Sequence, residues 1–189
     1  VFDVTVCDEK IKIEPNTVLS HDLLEGENPS VAPYAKKGEA LLRVTAKAKT
    51  EAEAQTLLAP VIEEIKKRLG TYVYGIDSES IEQRVVELLK EKNLTIATAE
   101  SCTGGGIGAA ITAVPGASKV YKGGVISYTD WVKNKCLGVE QAVLDKYGAV
   151  SAPVAGSMAS GVRNLLQTDI AVSVTGLAGP GGDDFGHSV

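Results

Sequence analysis

A serine, a cysteine and two threonines lie together in the middle of the chain, in the segment 98–106 (TAESCTGGG). The apolar run before it, from 94 to 97, predicts a buried strand, and the small residues from 107 to 114 predict a helix. The hydroxyls and the thiol therefore lie where a strand leads into a helix N-terminus, at which N–H groups are unpaired and the helix dipole is positive. A nucleophile at such a turn has backbone donors nearby for an oxyanion.

Ser101 is the candidate nucleophile of this segment, and it needs a base because a serine hydroxyl is inert at neutral pH. The histidines are poorly placed for that role, since His21 belongs to the other half of the chain and His187 to a terminal loop. A buried lysine amine is the alternative. Tyr128 and Lys133 follow the next predicted strand, and a parallel strand would bring them to the same sheet edge as Ser101. The spacing is compatible with a serine–lysine dyad in which the tyrosine relays or orients the proton.

Each of these residues also has a purely structural interpretation. Ser101 or Thr103 could cap the predicted helix, Lys133 could lie on a solvated helix face, and Cys102 could be a small core residue instead of a thiolate nucleophile. The second glycine cluster, 175–182, is either a long loop or a backbone cradle for phosphate or ribose. It is neither a P-loop nor a dinucleotide fingerprint, because neither Gly-Lys-Ser/Thr nor a helix pattern follows it.

The composition indicates a soluble globular protein and excludes several functions. Of the 189 residues 44% are hydrophobic and 23% are charged, and the net charge of −5 argues against a nucleic-acid binder. Three widely spaced cysteines and two histidines predict no zinc site, and we expect neither a metal nor a cofactor. Free thiols favour a reducing cytoplasm. We expect no signal peptide, and the sequence contains no apolar run of about 18 residues, so we expect no membrane partner.

The first half of the chain has the pattern of a small α+β unit. Residues 1–27 give no clear pattern, whereas the apolar alternation over 40–48 predicts a strand. A capping box at Thr50 predicts a helix that reaches about residue 69, with Pro60 expected to kink it or delay its start. We place the domain boundary after residue 77.

The second half has the pattern of a glycine-punctuated α/β domain, since 16 of the 20 glycines follow residue 101. Its largely apolar strands are typical of a sheet that is covered on both faces. Ser151 is expected to cap one helix, with a proline in the tolerated first turn. The predicted elements are a strand at 94–99, a helix at 104–114, a strand at 123–128, helices at 130–137, 140–147 and 152–166, and a strand at 168–175.

Four segments in order carry a resemblance to a known family: 98–105, 124–128, 148–151 and 173–180. Together they resemble the CinA C-terminal domain, the nicotinamide-nucleotide amidase module. Residues 28–76 are similar to the KH-like middle domain of CinA. The resemblance implies a three-layer α/β/α sandwich over 78–189, incomplete at its C-terminus, preceded by a small KH-like α+β domain over 1–77.

The resemblance implies hydrolysis of the carboxamide of nicotinamide mononucleotide to nicotinate mononucleotide and ammonia. It supports Ser101 as nucleophile, Lys133 as general base and Tyr128 as its partner, with the oxyanion held by N–H groups near Thr103 and Gly104. We expect the substrate to contact small and polar positions of these loops, namely Glu100, Thr103, Gly104, Gly105, Asp130, Thr175, Gly176, Ala178 and Gly179.

Two other functions stay open at this point. Members of the family continue beyond the second glycine cluster, so we expect this chain to be a fragment, and a fragment that binds a nucleotide or acts as a scaffold without turnover is the alternative to an amidase. RNA binding through the KH-like half is disfavoured, because that half lacks a Gly-x-x-Gly loop and a basic surface. An unpaired sheet edge favours self-association, and we expect a homo-oligomer, namely a dimer, in the cytoplasm.

Overall fold

The computed structural model of the chain describes residues 2–6, 21–36, 39–77, 80–177, 179–182, 185 and 186. It divides into two compact units, Val1–Arg84 and Val85–Val189. The domain limits derived from the sequence, 1–77 and 78–189, stay predictions.

The first unit is a small antiparallel sheet with a long helix. Its strand order is β2-β3-β1-β4, and every neighbouring pair is antiparallel. Its elements are β1 (Phe2–Val6), α1 (His21–Leu24), β2 (Ser30–Lys36), β3 (Glu39–Thr45), α2 (Glu51–Leu69) and β4 (Val73–Ile76).

Helix α2 supplies most of the core of this unit. The Thr50 hydroxyl accepts a hydrogen bond from the N–H of Glu53, as the capping box predicts. The delayed start expected from Pro60 is wrong, since the helix begins at Glu51 and continues through the proline. An internal proline costs about 3 kcal/mol, but each buried apolar side chain returns about 1.5–3 kcal/mol. Four such side chains of α2 are buried against the sheet: Leu58, Ile62, Ile65 and Leu69.

The second unit is built around a three-stranded parallel sheet of order β6-β5-β7. Helix α3 (Ile81–Glu91) leads into it. The elements that follow are β5 (Ile96–Glu100), α4 (Gly106–Thr112), β6 (Tyr121–Ile126), α5 (Asp130–Leu137), α6 (Gln141–Tyr147), α7 (Ala152–Leu166) and β7 (Ile170–Val174).

Helices cover both faces of this sheet, which confirms the predicted sandwich. Every residue of the central strand β5 is buried. Its alternate residues Ala97 and Ala99 pack in a cluster with Val154, Met158 and Val162 of α7. On the other face Ile96 packs with Val86 and Leu89 of α3 and with Ile111 of α4. Since a parallel sheet aligns the carboxyl ends of its strands at one edge, the loops after β5, β6 and β7 begin at the same edge.

Three local predictions for this unit are wrong. Helix α4 begins at Gly106, not at 104, because Gly104 and Gly105 have φ angles of +59° and +99°. Strand β6 spans 121–126 instead of 123–128, so Tyr128 lies in the loop after the strand. The Ser151 hydroxyl does not cap α7 and donates to the carbonyl of Gly148 instead. Among the described residues, no helix combines the length and apolar character that a membrane crossing requires.

Candidate active site

Ser101 is fixed at the carboxyl edge of the parallel sheet by bonds to both neighbouring strands. Its N–H donates to the carbonyl of Val174 at 2.9 Å, at the end of β7. The N–H of Ser127, just after β6, donates to the carbonyl of Glu100 at 2.7 Å. Ser101 itself is 6% exposed. The candidate nucleophile therefore emerges from a rigid part of the sheet, which holds it in place for a reaction.

The turn after Ser101 determines which N–H groups are available to an oxyanion. The N–H of Gly104 donates to the carbonyl of Ser101, and the N–H of Gly106 donates to the carbonyl of Thr103, each at 3.0 Å. Gly104 is therefore occupied, and its predicted role as an oxyanion donor is not supported by this geometry. Within the described part of the chain, the N–H groups of Cys102, Thr103 and Gly105 have no acceptor, and the first two of these donors lie immediately after the nucleophile.

Helix α4 is capped by Glu100 and by neither of the residues expected to cap it. One Glu100 carboxylate oxygen accepts from the N–H of Ile107 at 2.9 Å and from the Thr103 hydroxyl at 2.8 Å. The other oxygen accepts from the N–H of Gly108 at 2.8 Å. The Ser101 hydroxyl makes no cap, so the capping interpretation of this serine is wrong. The signal that could have indicated Glu100 is a single carboxylate at the end of a strand that is otherwise small and apolar.

The environment of Glu100 favours its charged form. Burial is the largest influence and raises the pKa of this carboxyl, which is 2% exposed. The N–H groups of Ile107 and Gly108 and the hydroxyls of Thr103 and Thr98 together outweigh burial, so the pKa of Glu100 lies below its ordinary value. A carboxylate therefore occupies the positive end of α4 at neutral pH. Whether Glu100 also contacts substrate stays a prediction, although both of its oxygens already accept protein donors.

Lys133 is a fully buried lysine at the same edge. It lies on α5, where it is 1% exposed and is the largest of the fully buried side chains among the described residues. The interpretation as a solvated helix face is therefore wrong. Its amine lies 3.4 Å from the carbonyl of Tyr128 and 3.4 Å from an oxygen of Asp130, whose side chain is 54% exposed. Both contacts are longer than the 2.7–2.9 Å of a strong charged hydrogen bond, so the buried amine is only weakly paired.

The loop after β6 connects the amine to the Ser101 edge. Ser127 binds the carbonyl of Glu100, and the carbonyl of the next residue, Tyr128, contacts the amine of Lys133. The Tyr128 side chain is 66% exposed at this edge. No hydrogen bond joins the Ser101 hydroxyl to the Lys133 amine, and catalytic hydrogen bonds commonly tighten only in the substrate complex.

The second glycine cluster reaches the Ser101 turn. A Cβ added at Gly176 would lie 3.0 Å from the Cys102 sulfur, so glycine permits this close approach. The Thr175 hydroxyl donates to the carbonyl of Ala149 at 2.8 Å, which anchors the start of the loop. Gly179 has a φ of +75°, whereas the predicted contact Ala178 lies outside the described residues. A cradle role for this cluster stays a prediction, as do the expected contacts through Thr103, Gly105 and Asp130.

The arrangement offers no evident metal position. Within the described ranges, no three His, Cys, Asp or Glu side chains come together as metal ligands would. The chemistry available at this edge is that of a hydroxyl, a buried amine, a phenol and free backbone donors.

Comparison with known families agrees with this geometry. The model of the CinA C-terminal domain matches residues 78–189, and the model of the damage-inducible protein CinA KH domain matches residues 19–75. The chain belongs to the CinA family. The candidate site lies wholly within the part that matches the C-terminal domain.

Curated relatives and solved structures support the same assignment. The chain is 51% identical over 162 residues to a CinA-like protein of Dictyoglomus turgidum, covering 85% of this chain and 39% of the relative. It is 48% identical over 161 residues to a CinA-like protein of a Synechococcus species, covering 85% and 38%. The chain thus spans about two fifths of the length of these relatives.

Two crystal structures of relatives resemble this chain over more than half of its length. A competence-damaged protein (CinA) superfamily protein of Escherichia coli has a TM-score of 0.56 and 36% identity, covering 57% of this chain and 62% of that one. The competence/damage inducible protein CihA of Agrobacterium tumefaciens has a TM-score of 0.53 and 39% identity, covering 57% and 66%.

Proposed function

We propose that this chain hydrolyses the carboxamide of nicotinamide mononucleotide, giving nicotinate mononucleotide and ammonia. Ser101 is the nucleophile, Lys133 the general base and Tyr128 its partner. The proposal combines the family resemblance with one structural observation that carries it, which is a fully buried, weakly paired lysine amine at the sheet edge from which Ser101 emerges. A lysine that acts as a base needs to be shielded from water, and the burial of Lys133 provides that shielding.

The first half of the reaction forms an ester. The Ser101 oxygen attacks the carboxamide carbon while its proton passes to the amine nitrogen of Lys133. The carbonyl oxygen becomes an oxyanion, and the free N–H groups of Cys102 and Thr103 are the donors placed to bind it. When the tetrahedral intermediate collapses, the carbon–nitrogen bond breaks. Lys133 or Tyr128 donates a proton to the leaving nitrogen, which departs as ammonia.

The second half releases the product. Water attacks the ester carbon and gives one proton to Lys133, the bond to the Ser101 oxygen breaks, and Lys133 returns that proton to the serine. The acid formed loses its remaining proton to solvent, and nicotinate mononucleotide leaves as a carboxylate. The phosphate of the nucleotide is expected to bind backbone N–H groups of the second glycine cluster, since the net charge of −5 offers no general attraction for an anion.

Ammonia release from nicotinamide mononucleotide, measured with an enzyme-coupled assay, tests the proposal. The wild-type chain should produce ammonia, Ser101→Ala should abolish it, and Cys102→Ala should retain it. Binding of the nucleotide without any product would reject the amidase in favour of the non-catalytic nucleotide-binding alternative. Ammonia release that survives in Ser101→Ala would reject the mechanism.

A further inference from the structure

A buried polar network lies on the α4 face of the sheet, beneath the Ser101 turn. Its centre is the Glu100 carboxylate, which receives three protein hydrogen bonds between 2.8 and 2.9 Å. Behind it, the Thr98 hydroxyl pairs with the Tyr121 hydroxyl at 2.7 Å. None of these groups belongs to the proposed nucleophile, base or oxyanion donors, so the reaction leaves the network without an assigned role.

We propose that Glu100 is the positioning residue of this site, acting through Thr103 and the N-terminus of α4 to hold the Ser101 turn in its reactive form. The inference rests on the amidase function proposed above. It replaces the direct substrate contact expected from the sequence.

The geometry of the carboxylate supports this role. Glu100 directly precedes Ser101, and its bonds reach forward to Thr103, Ile107 and Gly108. They close a ring around the turn that carries the free N–H groups of Cys102 and Thr103. The position of these two donors relative to the Ser101 hydroxyl therefore depends on the carboxylate. A displacement of about 1 Å at such a site can cost about 100-fold in rate.

The packing around the carboxylate reserves space for this network. A Cβ at Gly108 would lie 2.6 Å from the Tyr121 hydroxyl and 3.4 Å from a Glu100 oxygen. A Cβ at Gly124 would collide with the Thr98 hydroxyl and lie 2.8 Å from the Tyr121 hydroxyl. A cavity of about 270 Å³ borders Glu100, Thr98 and Tyr121 on this face. The space that the side chain would leave in Glu100→Ala therefore adjoins this cavity.

The first experiment measures kcat and KM for Glu100→Gln and Thr103→Val with nicotinamide mononucleotide. A positioning role predicts that kcat falls about 10- to 100-fold in Glu100→Gln while KM stays within about threefold, because the carboxylate does not touch substrate. Thr103→Val should reproduce part of the loss, and the double variant should be less than additive. A rise in KM with kcat unchanged would overturn the proposal in favour of a substrate contact. Unchanged kinetics would also overturn it.

The second experiment is chemical rescue. Glu100→Ala should lose activity and regain at least part of its kcat when sodium formate is added, with sodium chloride at equal ionic strength as the control. Restoration by both salts equally, or by neither, would overturn the role of the carboxylate. Tyr121→Phe keeps the fold and the carboxylate, so its kcat should fall by less than that of Glu100→Gln. A loss as large in Tyr121→Phe would place the control of the turn elsewhere.

Amide hydrogen exchange separates this inference from the amidase proposal, because it needs no turnover. In Glu100→Gln, exchange at the hydrogen-bonded amides of Gly104 and of residues 106–108 should accelerate at least about tenfold, while β5 and α7 keep their wild-type rates. This result would support the positioning role even if the wild-type chain released no ammonia, an outcome that rejects only the proposed reaction. Unchanged exchange at these four amides would overturn the positioning role whatever the reaction.

Discussion

Replacing the buried lysine by an isosteric apolar residue separates function from stability. Lys133→Met removes the amine of a residue that is 1% exposed and whose polar contacts among the described residues are two, both at 3.4 Å. The remaining partner Asp130 keeps its hydration because its side chain is 54% exposed. No buried charge is left behind, and methionine fills a similar volume with apolar atoms.

The expected free energy of unfolding of Lys133→Met is therefore equal to that of the wild type or higher by up to about 2 kcal/mol. With a urea dependence of about 2 kcal/mol per molar, this corresponds to an increase of up to about 1 M in the midpoint. The kcat for ammonia release should fall at least about 100-fold, since general bases contribute that much. Functional sites commonly contain residues that lower stability but are essential for activity, and we expect Lys133 to be one of them.

The assay uses urea unfolding followed by the fluorescence of Trp131, the only tryptophan of the chain, which lies on the same helix as Lys133. Lys135→Met is the matched control, because Lys135 is exposed on that helix. Lys135→Met should leave the urea midpoint unchanged and should change kcat by less than about twofold. A Lys133→Met protein that is destabilised by more than about 2 kcal/mol yet retains wild-type activity would refute the reasoning.

Three further predictions concern packing, pH and the exposed phenol. Gly161→Ala should lower the free energy of unfolding by about 1–3 kcal/mol, because the new methyl group collides with the carbonyl of Leu137. Gly156→Ala on the same helix has open space around it and should raise the free energy of unfolding by about 0.5–1 kcal/mol. Denaturant titration measures both variants, and equal effects would contradict the packing. Because the pKa of Glu100 is lower in the folded chain than the ordinary 4.5, its carboxylate stabilises the fold above pH 4.5, and this stability is lost as pH falls through the folded pKa. Between pH 7 and 3.5 the wild type should therefore lose more free energy of unfolding than Glu100→Gln. Parallel pH profiles of the two proteins would argue against a charged Glu100 in the fold. Tyr128→Phe should keep the wild-type unfolding midpoint, since the side chain is 66% exposed, and should lower kcat, so an unchanged kcat would remove Tyr128 from the mechanism.

The parallel sheet and the site edge were predictable from local sequence patterns. Apolar runs ending in polar or glycine-rich loops predict buried parallel strands, and these place Ser101 and the loop that carries Tyr128 and Lys133 at one edge. The start of α4 was less predictable. Glycine permits a positive φ angle but does not require one, so the sequence alone does not show that Gly104 and Gly105 lie outside the helix.

The role of Glu100 could not be read from the sequence, for a physical reason. Helix capping is recognised by a side chain one residue before the first turn, whereas Glu100 reaches the N–H groups of residues seven and eight positions later. Only the folded turn brings them together. Similarly, β6 begins two residues before the predicted start because Tyr121 pairs with Ile96 in the parallel ladder, and a pairing between residues so far apart in sequence leaves no local pattern.

The central claim is that the Ser101 oxygen becomes covalently bonded to the substrate acyl group. Mass spectrometry of the chain after acid quench during turnover of nicotinamide mononucleotide tests it directly. We predict a nicotinate mononucleotide ester on the peptide that contains Ser101, absent in Ser101→Ala and accumulating at early times in the wild type. An adduct on Cys102 would contradict the account. So would a Ser101→Ala protein that turns over at the wild-type rate while neither protein shows an adduct at any time.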